Sequence, residues 1–402
     1  MSRGASRPTT VMVPALGAGV GSARTRQRVV ATGGDPLRLR CGRALDHVEV
    51  AYETYGALNA AGDNAVAVLH ALTAGAHAAG TDPATGHVGW WDSLIGPGRA
   101  IDTDRWFVVC ANLLGSCLGT TGPTSPRLGD GRPWGLDFPP LHIADQMAVH
   151  RRLGAALGIR RYRALIGPSL GGMHALQWLV DAPDEVGATI LIASTSRLTT
   201  ENRAFAAAGR QAILDDPGFD GGRYLERGGA GPARGLAAAR RFAHITYLAG
   251  GALERKFGDA SPPDWPPPQA AQWLAPTRAV EMYLEHQGSS FVQRFDALSY
   301  LYLTRPMDDF DPFGAASLAE TQASIAAHAR TPHLLISFDS DWRFGSSHSA
   351  RLARQLRAAG AARVEHHELP APWGHDSFLL DAPGMGDLIA SALAPQHPQD
   401  SG

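Results

Sequence analysis

The chain has 402 residues, a net charge of −2 and 44% hydrophobic residues. This balance is typical of a globular protein with a sizeable core, and it gives no general attraction for nucleic acid or for an anionic membrane surface. No apolar run has the length of a membrane span, and the three cysteines lack both metal-ligand spacing and the number needed for a disulfide framework. We therefore expect a cytoplasmic protein without a bound metal, a nucleic-acid partner or a membrane partner.

The first half of the chain predicts a tail and then an alternation of strands and helices. Residues 1–35 lack an apolar segment leading to a cleavage site, so we expect a flexible N-terminal tail. Buried or half-buried strands are predicted over the ranges 47–55, 65–69, 106–111 and 189–193, with a further strand ending at Ile166 and a helix over 143–157. Such alternation predicts an α/β protein with a mostly parallel sheet.

The pattern changes after residue 195. Residues 196–319 lack β-branched runs and predict helices, which indicates a helical lid inserted into the sheet domain. Strands over 333–338 and 364–369, with a helix over 347–359 between them, restore the earlier pattern. We therefore expect a core formed by residues 36–195 and 320–402, and a lid formed by residues 196–319.

A sharp strand-to-helix turn is predicted around Ser169. The strand ending at Ile166 is followed by Gly167-Pro168-Ser169-Leu170-Gly171-Gly172 and then by a good helix former. This context fits the nucleophile elbow, which lifts a serine hydroxyl clear of the sheet. Since the chain contains 46 glycines, an ordinary turn with a solvated serine is the alternative.

A nucleophilic serine needs a histidine base and a carboxylate that holds the histidine. In the α/β-hydrolase fold these residues follow the serine in the order acid, histidine. The strand over 333–338 is followed by Asp339 and Asp341, and the last strand is followed by His375 in a glycine-flanked loop. His375 is the predicted base, whereas the residues alone leave the choice between the two aspartates open.

The chain resembles the homoserine O-acyltransferases of the α/β-hydrolase superfamily from about residue 40 onward. The resemblance rests on ordered stretches spread along the chain, namely His70-Ala71-Leu72-Thr73, Gly89-Trp90-Trp91-Asp92, Leu114-Gly115-Ser116-Cys117, the elbow, residues 239–247, residues 283–288, Ser340-Asp341-Trp342-Arg343-Phe344 and Gly374-His375-Asp376. It implies the α/β-hydrolase fold with a helical lid, and a homodimer.

The resemblance also implies a role for particular residues. Ser169 corresponds to the nucleophile, Asp341 to the acid and His375 to the base, with the N–H groups of Leu72 and Leu170 forming the oxyanion hole.

Three further residues correspond to the amino-acid binding site of the family. Arg240 and Asp376 match the substrate-binding arginine and aspartate, and Tyr247 follows Arg240 by two helical turns. A guanidinium can hold an α-carboxylate through two hydrogen bonds while a carboxylate binds the α-ammonium. The residues alone would instead leave Arg240 on an exposed helix face.

The chain departs from the family pattern in two places. Pro168 stands where a second glycine usually precedes the nucleophile, and its fixed φ puts the detailed geometry of the elbow in question. Thr73-Ala74-Gly75 stands where acetyl-transferring members commonly have Thr-Gly-Asp.

Arg343 bears on the choice of acyl donor. Acetyl-specific members resemble Asp-x-Leu-Phe at this position, and an arginine accompanies succinyl transfer in the family. A succinyl group ends in a carboxylate, and a charge-assisted hydrogen bond to it contributes about 1.5–3 kcal/mol. The alternative is an arginine that points into solvent.

Together these features predict transfer of succinyl from succinyl-CoA to the hydroxyl of L-homoserine through an acyl-Ser169 ester, as in methionine-type biosynthesis. Acyl-CoA would be a co-substrate, with no permanently bound cofactor. Acetyl-CoA as donor and L-serine as acceptor stay open, since one methylene is worth only about 1–3 kcal/mol in a pocket. An esterase or thioesterase, in which water is the acceptor, and a non-catalytic binding module are the alternatives of other classes.

Overall fold

The computed structural model describes residues 19–258, 269–276, 278–380 and 382–394. The strands of these residues, in chain order, are β1 (Arg26–Ala31), β2 (Leu37–Arg38), β3 (Ala44–Leu45), β4 (Val48–Tyr55), β5 (Ala65–Val68), β6 (Ile95–Gly96), β7 (Ile101–Asp102), β8 (Phe107–Ala111), β9 (Tyr162–Pro168), β10 (Thr189–Ile192), β11 (His333–Phe338) and β12 (Val364–Leu369).

Eight of these strands form one sheet in the order β1-β4-β8-β5-β9-β10-β11-β12. The first two pairs, β1 with β4 and β4 with β8, are antiparallel, and every other pair is parallel. The two remaining pairs of short strands, β2 with β3 and β6 with β7, stand apart from this sheet.

The central strands of the sheet are buried on both faces because their side chains alternate between two hydrophobic clusters. On β5, Ala65 and Ala67 belong to one cluster, whereas Val66 and Val68 belong to the other. This explains why the strands appear as nearly continuous apolar runs in the sequence, as is typical of parallel sheets covered by helices.

The helices of the described residues are α1 (Ile143–Ala156), α2 (Leu170–Asp181), α3 (Thr200–Leu214), α4 (Tyr224–Arg227), α5 (Ala233–Tyr247), α6 (Gly250–Phe257), α7 (Ala270–Leu274), α8 (Ala279–Val292), α9 (Ala297–Asp309), α10 (Leu318–Ala327), α11 (Ser346–Ala358) and α12 (Met385–Leu393). Between β10 and β11 the described chain contains helices and no strand. There α5 packs between α3 and α8.

The parallel strands bring the candidate residues to one edge of the sheet. Their carboxyl ends meet at the same edge, which is where α/β sheets bind ligands. Leu72 follows β5, Ser169 follows β9, Asp341 follows β11 and His375 follows β12. The order of the strands therefore gathers residues that are far apart in the sequence.

The prediction of a flexible tail over residues 1–35 was wrong for residues 26–31. These residues form β1, which pairs antiparallel with β4 from Arg26 opposite Tyr52 to Ala31 opposite Val48. The strand was missed because most of its side chains are exposed and include two arginines, so it shows no apolar alternation. Its backbone hydrogen bonds to β4 hold it on the sheet. Residues 1–18 lie outside the described part of the chain.

The predicted α/β architecture with a mostly parallel sheet is confirmed. No helix of the described residues combines the length and the hydropathy that a membrane crossing requires. Over the same residues, no group of three His, Cys, Asp or Glu side chains is arranged to hold a metal ion.

Candidate active site

Ser169 lies in a sharp turn between β9 and α2. Its φ of 55° and ψ of −119° are unusual for a residue with a side chain, and its N–H donates to the Ile192 carbonyl over 2.9 Å. A Cβ at Gly167 would overlap the backbone of Gly171, and a Cβ at Gly171 would overlap the Leu69 carbonyl. The flanking glycines are therefore required by the close approach of the turn to its neighbours.

Pro168 does not prevent the turn. It lies in register with Ile192 of β10 and is buried at the end of its strand, and Ser169 still has the positive φ of an elbow. The turn is also held by Ser194, a buried residue whose hydroxyl donates to the Ser169 carbonyl over 2.7 Å. Ser194 was not identified from the sequence, since a single serine after a strand gives no recognisable signal.

Ser169, His375 and Asp341 form a continuous hydrogen-bonded chain. His375 Nδ1 lies 2.8 Å from Asp341 Oδ2, and His375 Nε2 lies 2.8 Å from Ser169 Oγ. A carboxylate can only accept, so the histidine proton lies on Nδ1 and Nε2 is free to accept the serine proton. All three side chains are buried. This arrangement can activate a serine as a nucleophile.

Asp341 is held by the chain that follows it. Its Oδ1 accepts hydrogen bonds from the N–H of Arg343 over 2.8 Å and from the N–H of Phe344 over 3.0 Å. Burial alone would raise the pKa of Asp341, but the charge of His375 and the hydrogen bonds from His375, Phe344 and Arg343 outweigh it and lower that pKa. The carboxylate therefore stays ionised beside the imidazole.

Asp339, the other aspartate considered, has a different environment. It is exposed, and its Oδ1 accepts the N–H of Ala371 over 3.0 Å, which ties the end of β11 to the chain after β12. Of the two aspartates, only Asp341 contacts His375.

The predicted oxyanion residues flank the serine. Leu170 is the first residue of α2, so its N–H has no acceptor within the helix. Leu72 lies in the loop after β5, and the overlap that a Cβ at Gly171 would make with Leu69 shows how closely this loop approaches the start of α2. Their role as oxyanion donors stays a prediction.

Arg240 is buried on α5 instead of lying on an exposed helix face. Its side chain donates to Thr73 Oγ1 over 3.1 Å, and its guanidinium lies 4.8 Å from the ring centre of Phe291 and 5.9 Å from that of Tyr247. The ring centre of Tyr247 is in turn 5.8 Å from that of His375. Arg240 therefore packs on Tyr247, whose ring lies beside His375.

Asp376 follows His375 and lies in the field of the same arginine. Burial raises the pKa of Asp376 to about 6, against the lowering effects of His375, Arg240 and Arg343. The carboxyl is therefore mostly ionised at neutral pH, although its solvation is poor. A buried cation and a nearby half-buried anion can bind the two charged groups of an α-amino acid.

Arg343 points toward α5 instead of solvent. Its Nη1 donates to Thr246 Oγ1 over 2.6 Å, and its guanidinium lies 5.2 Å from the ring centre of Tyr247. The side chain borders a narrow cavity. Further residues that line this cavity are Leu72, Leu198, Phe205, Tyr247 and Tyr300. Leu72, which belongs to the loop that approaches the start of α2, and Arg343 therefore border the same cavity.

Comparison with known proteins identifies the family. Residues 64–382 match the family model described as "alpha/beta hydrolase fold". The homoserine O-succinyltransferase of Nocardioides sp. (strain ATCC BAA-499 / JS614) is 52% identical over 375 residues, which cover 93% of this chain and 99% of that protein. The homoserine O-acetyltransferase of Rhodopseudomonas palustris (strain BisB18) is 46% identical over 362 residues, covering 89% of this chain and 88% of the relative.

A solved structure supports the same assignment. The crystal structure of homoserine O-acetyltransferase from Bacillus anthracis superposes with a TM-score of 0.82 at 26% identity, covering 93% of this chain and 98% of that chain. The match extends over the sheet and the helices inserted into it. By sequence and by fold, the chain belongs to the homoserine O-acyltransferase family of the α/β-hydrolase superfamily.

Proposed function

We propose that this protein transfers a succinyl group from succinyl-CoA to the hydroxyl of L-homoserine through an ester on Ser169. The observation that carries the proposal is the chain of hydrogen bonds from Ser169 through His375 to Asp341. The ring of Tyr247 lies between His375 and the buried Arg240. The names of the relatives support homoserine as the acceptor and succinyl or acetyl as the acyl group. The donor in particular rests on Arg343.

In the first half of the reaction, Ser169 Oγ attacks the thioester carbonyl carbon while His375 Nε2 takes the hydroxyl proton. The N–H groups of Leu72 and Leu170 stabilise the negative charge that develops on the carbonyl oxygen. The C–S bond then breaks, His375 returns its proton to the departing CoA sulfur, and the acyl group stays on Ser169.

In the second half, the hydroxyl of homoserine replaces the thiol. His375 takes the hydroxyl proton as the oxygen attacks the acyl carbon, and it gives that proton to Ser169 Oγ as the ester bond breaks. Arg240 binds the α-carboxylate, Asp376 binds the α-ammonium and Tyr247 packs beside them. Holding the acceptor in this way favours transfer to homoserine over transfer to water.

Replacing Arg240 by lysine tests the acceptor site. Lysine keeps the charge but loses the planar group that binds a carboxylate through two hydrogen bonds, so we expect kcat/KM for homoserine to fall roughly ten- to a hundredfold. Acylation of Ser169 by the donor alone should change little, and rapid mixing with and without homoserine separates the two steps. Equal losses in both steps would mean that Arg240 only supports the fold.

The choice of succinyl as the acyl group is supported by the environment of Arg343. A cation that borders a cavity shared with Leu72 suits a donor whose acyl chain ends in a carboxylate, whereas an acetyl group has no charge for it to bind. The 52% identical relative is named as a succinyltransferase, and the 46% identical one as an acetyltransferase. Sequence identity alone separates these donors by only a small margin.

Replacing Arg343 by leucine tests the donor. The substitution removes the partner of the distal carboxylate, at a cost of about 1–3 kcal/mol, so kcat/KM for succinyl-CoA should fall about ten- to a hundredfold. Acetyl-CoA lacks that carboxylate and should be used as well as before or better. Steady-state rates with both donors measure the shift. An equal loss with both would show that Arg343 merely holds the Asp341 loop.

The function as a whole is tested by the products. The purified protein is incubated with succinyl-CoA or acetyl-CoA and with homoserine or serine, and the products are identified by mass. We expect O-succinylhomoserine as the main product. Release of CoA at the same rate without an amino acid would favour a thioesterase, and a main product carrying acetyl or serine would replace the donor or the acceptor in this proposal.

We also propose that the protein acts as a cytoplasmic homodimer. Exposed apolar side chains occur on the inserted helices, including Phe242 and Ile245 of α5, Trp273 of α7 and Met282 of α8. Such residues are typical of a surface that another copy covers. The molar mass in solution tests this proposal.

A further inference from the structure

We infer that Thr246 is the positioning residue that aims Arg343 at the distal carboxylate of a dicarboxylic acyl donor. The inference rests on the proposed function, because it assigns a role to a partner of Arg343. Donor selection then depends on the Thr246 hydroxyl of α5 as well as on Arg343 in the loop after β11.

The contact is short and buried. Arg343 Nη1 donates to Thr246 Oγ1 over 2.6 Å, and Thr246 is 1% exposed. Thr246 lies on α5, whereas Arg343 lies in the loop that carries Asp341. The hydrogen bond therefore joins α5 of the inserted helices to the loop that carries Asp341, at the edge of the cavity.

The orientation of the threonine hydroxyl is fixed by a second hydrogen bond. Thr246 Oγ1 donates its proton to the Ala243 carbonyl one helical turn earlier, over 2.8 Å. Because the hydroxyl proton is used in this hydrogen bond, the oxygen can only accept a hydrogen bond from Arg343. A hydroxyl held in this way gives the guanidinium one preferred rotation.

The aromatic neighbours of Arg343 cannot supply this orientation. The guanidinium lies 5.2 Å from the ring centre of Tyr247 and 5.5 Å from that of Phe344. Cation–π attraction holds a cation over a ring but leaves its rotation in that plane free. The directional contact is the one with Thr246, and it uses one of the five guanidinium N–H groups, leaving four for other partners.

The consequence concerns one class of donor. An acyl chain ending in a carboxylate needs a guanidinium at a fixed place, because two parallel hydrogen bonds form only in a narrow geometry. A monocarboxylic acyl group such as acetyl has no distal carboxylate and therefore does not need a guanidinium at a fixed place. Loss of the Thr246 hydroxyl should therefore impair succinyl transfer and spare acetyl transfer.

Replacing Thr246 by valine removes the acceptor while keeping the shape of the side chain. We expect kcat/KM for succinyl-CoA to fall about five- to twentyfold, mostly through KM for this donor, with a change of less than about twofold for acetyl-CoA. Thr246→Ser keeps the hydroxyl and should restore most of the succinyl preference. Equal losses with both donors, or no rescue by serine, would overturn the inference.

Thr304→Val is the matched control. Thr304 is also a buried threonine at the cavity, but its hydroxyl donates to the Tyr300 carbonyl and forms no hydrogen bond with Arg343. Whatever this substitution does to the absolute rate, the ratio of succinyl to acetyl kcat/KM should stay that of the unchanged protein. A shift as large as that of Thr246→Val would mean that any lost hydroxyl in the cavity alters the ratio.

The double variant separates this inference from the proposed function. If Thr246 acts only through Arg343, then Thr246→Val combined with Arg343→Leu should have the donor ratio of Arg343→Leu alone. Additive shifts would overturn the positioning role. If Arg343→Leu by itself leaves the donor ratio unchanged, the proposed donor is wrong. If Arg343→Leu changes the donor ratio and Thr246→Val does not, only the role of Thr246 is refuted.

Discussion

Ser169→Ala should lower the rate of acyl transfer by roughly a millionfold, because the whole reaction passes through an ester on this hydroxyl. Losses of this size follow from removing the nucleophile of a serine–histidine–acid set, since the remaining groups act on an atom that is no longer there. Transfer is measured as acylhomoserine formed from succinyl-CoA and homoserine.

The covalent intermediate provides a second measurement. Incubation of the unchanged protein with succinyl-CoA and no acceptor should leave a succinyl group on the peptide that contains Ser169, and Ser169→Ala should carry none. An unchanged unfolding midpoint would show that the variant is folded, since the substitution removes a single hydroxyl. Appreciable turnover by the variant would rule out the ester mechanism.

Much of the fold could be predicted because buried parallel strands leave a simple pattern. The strands predicted over 333–338 and 364–369 have those bounds in the structure, and the helix predicted over 143–157 ends at Ala156. The strand over 333–338 is a nearly continuous apolar run and the helix is an amphipathic segment, so the sequence of each segment indicates its burial. β1 shows no such pattern, because four of its six side chains are exposed and its place in the sheet depends on backbone hydrogen bonds to β4.

The site could be predicted in part for a similar reason. The turn around Ser169 is local, and its glycines are dictated by contacts that any elbow must make. Arg240 is buried only because α5 packs between α3 and α8, and no feature of its own helix indicates that. The contact between Thr246 and Arg343 joins residues 97 positions apart, so it too depends on how the inserted helices sit on the core.

The choice between Asp339 and Asp341 illustrates the limit of local reasoning. The two residues follow the same strand two positions apart, so both are placed at the active edge of the sheet. Only the path of the loop decides between them. It turns Asp341 inward to His375, whereas Asp339 stays exposed and accepts a hydrogen bond from the Ala371 N–H. The resemblance to the family selected the residue that contacts His375.

Asp341→Asn should lower kcat by about ten-thousandfold, and the reason lies in the two N–H groups that hold this side chain. Oδ1 accepts from Arg343 and Phe344, so the amide oxygen of asparagine must occupy that position and its NH₂ must face His375. The NH₂ can only donate, which forces the histidine proton from Nδ1 to Nε2 and leaves no acceptor for the proton of Ser169.

Asp339→Asn is the matched control: its oxygen can still accept the Ala371 N–H, so we expect less than a tenfold loss. Both variants are compared by steady-state rates at saturating succinyl-CoA and homoserine, with unfolding midpoints to verify that each is folded. A larger loss for Asp339→Asn than for Asp341→Asn would mean that the acid has been assigned to the wrong residue.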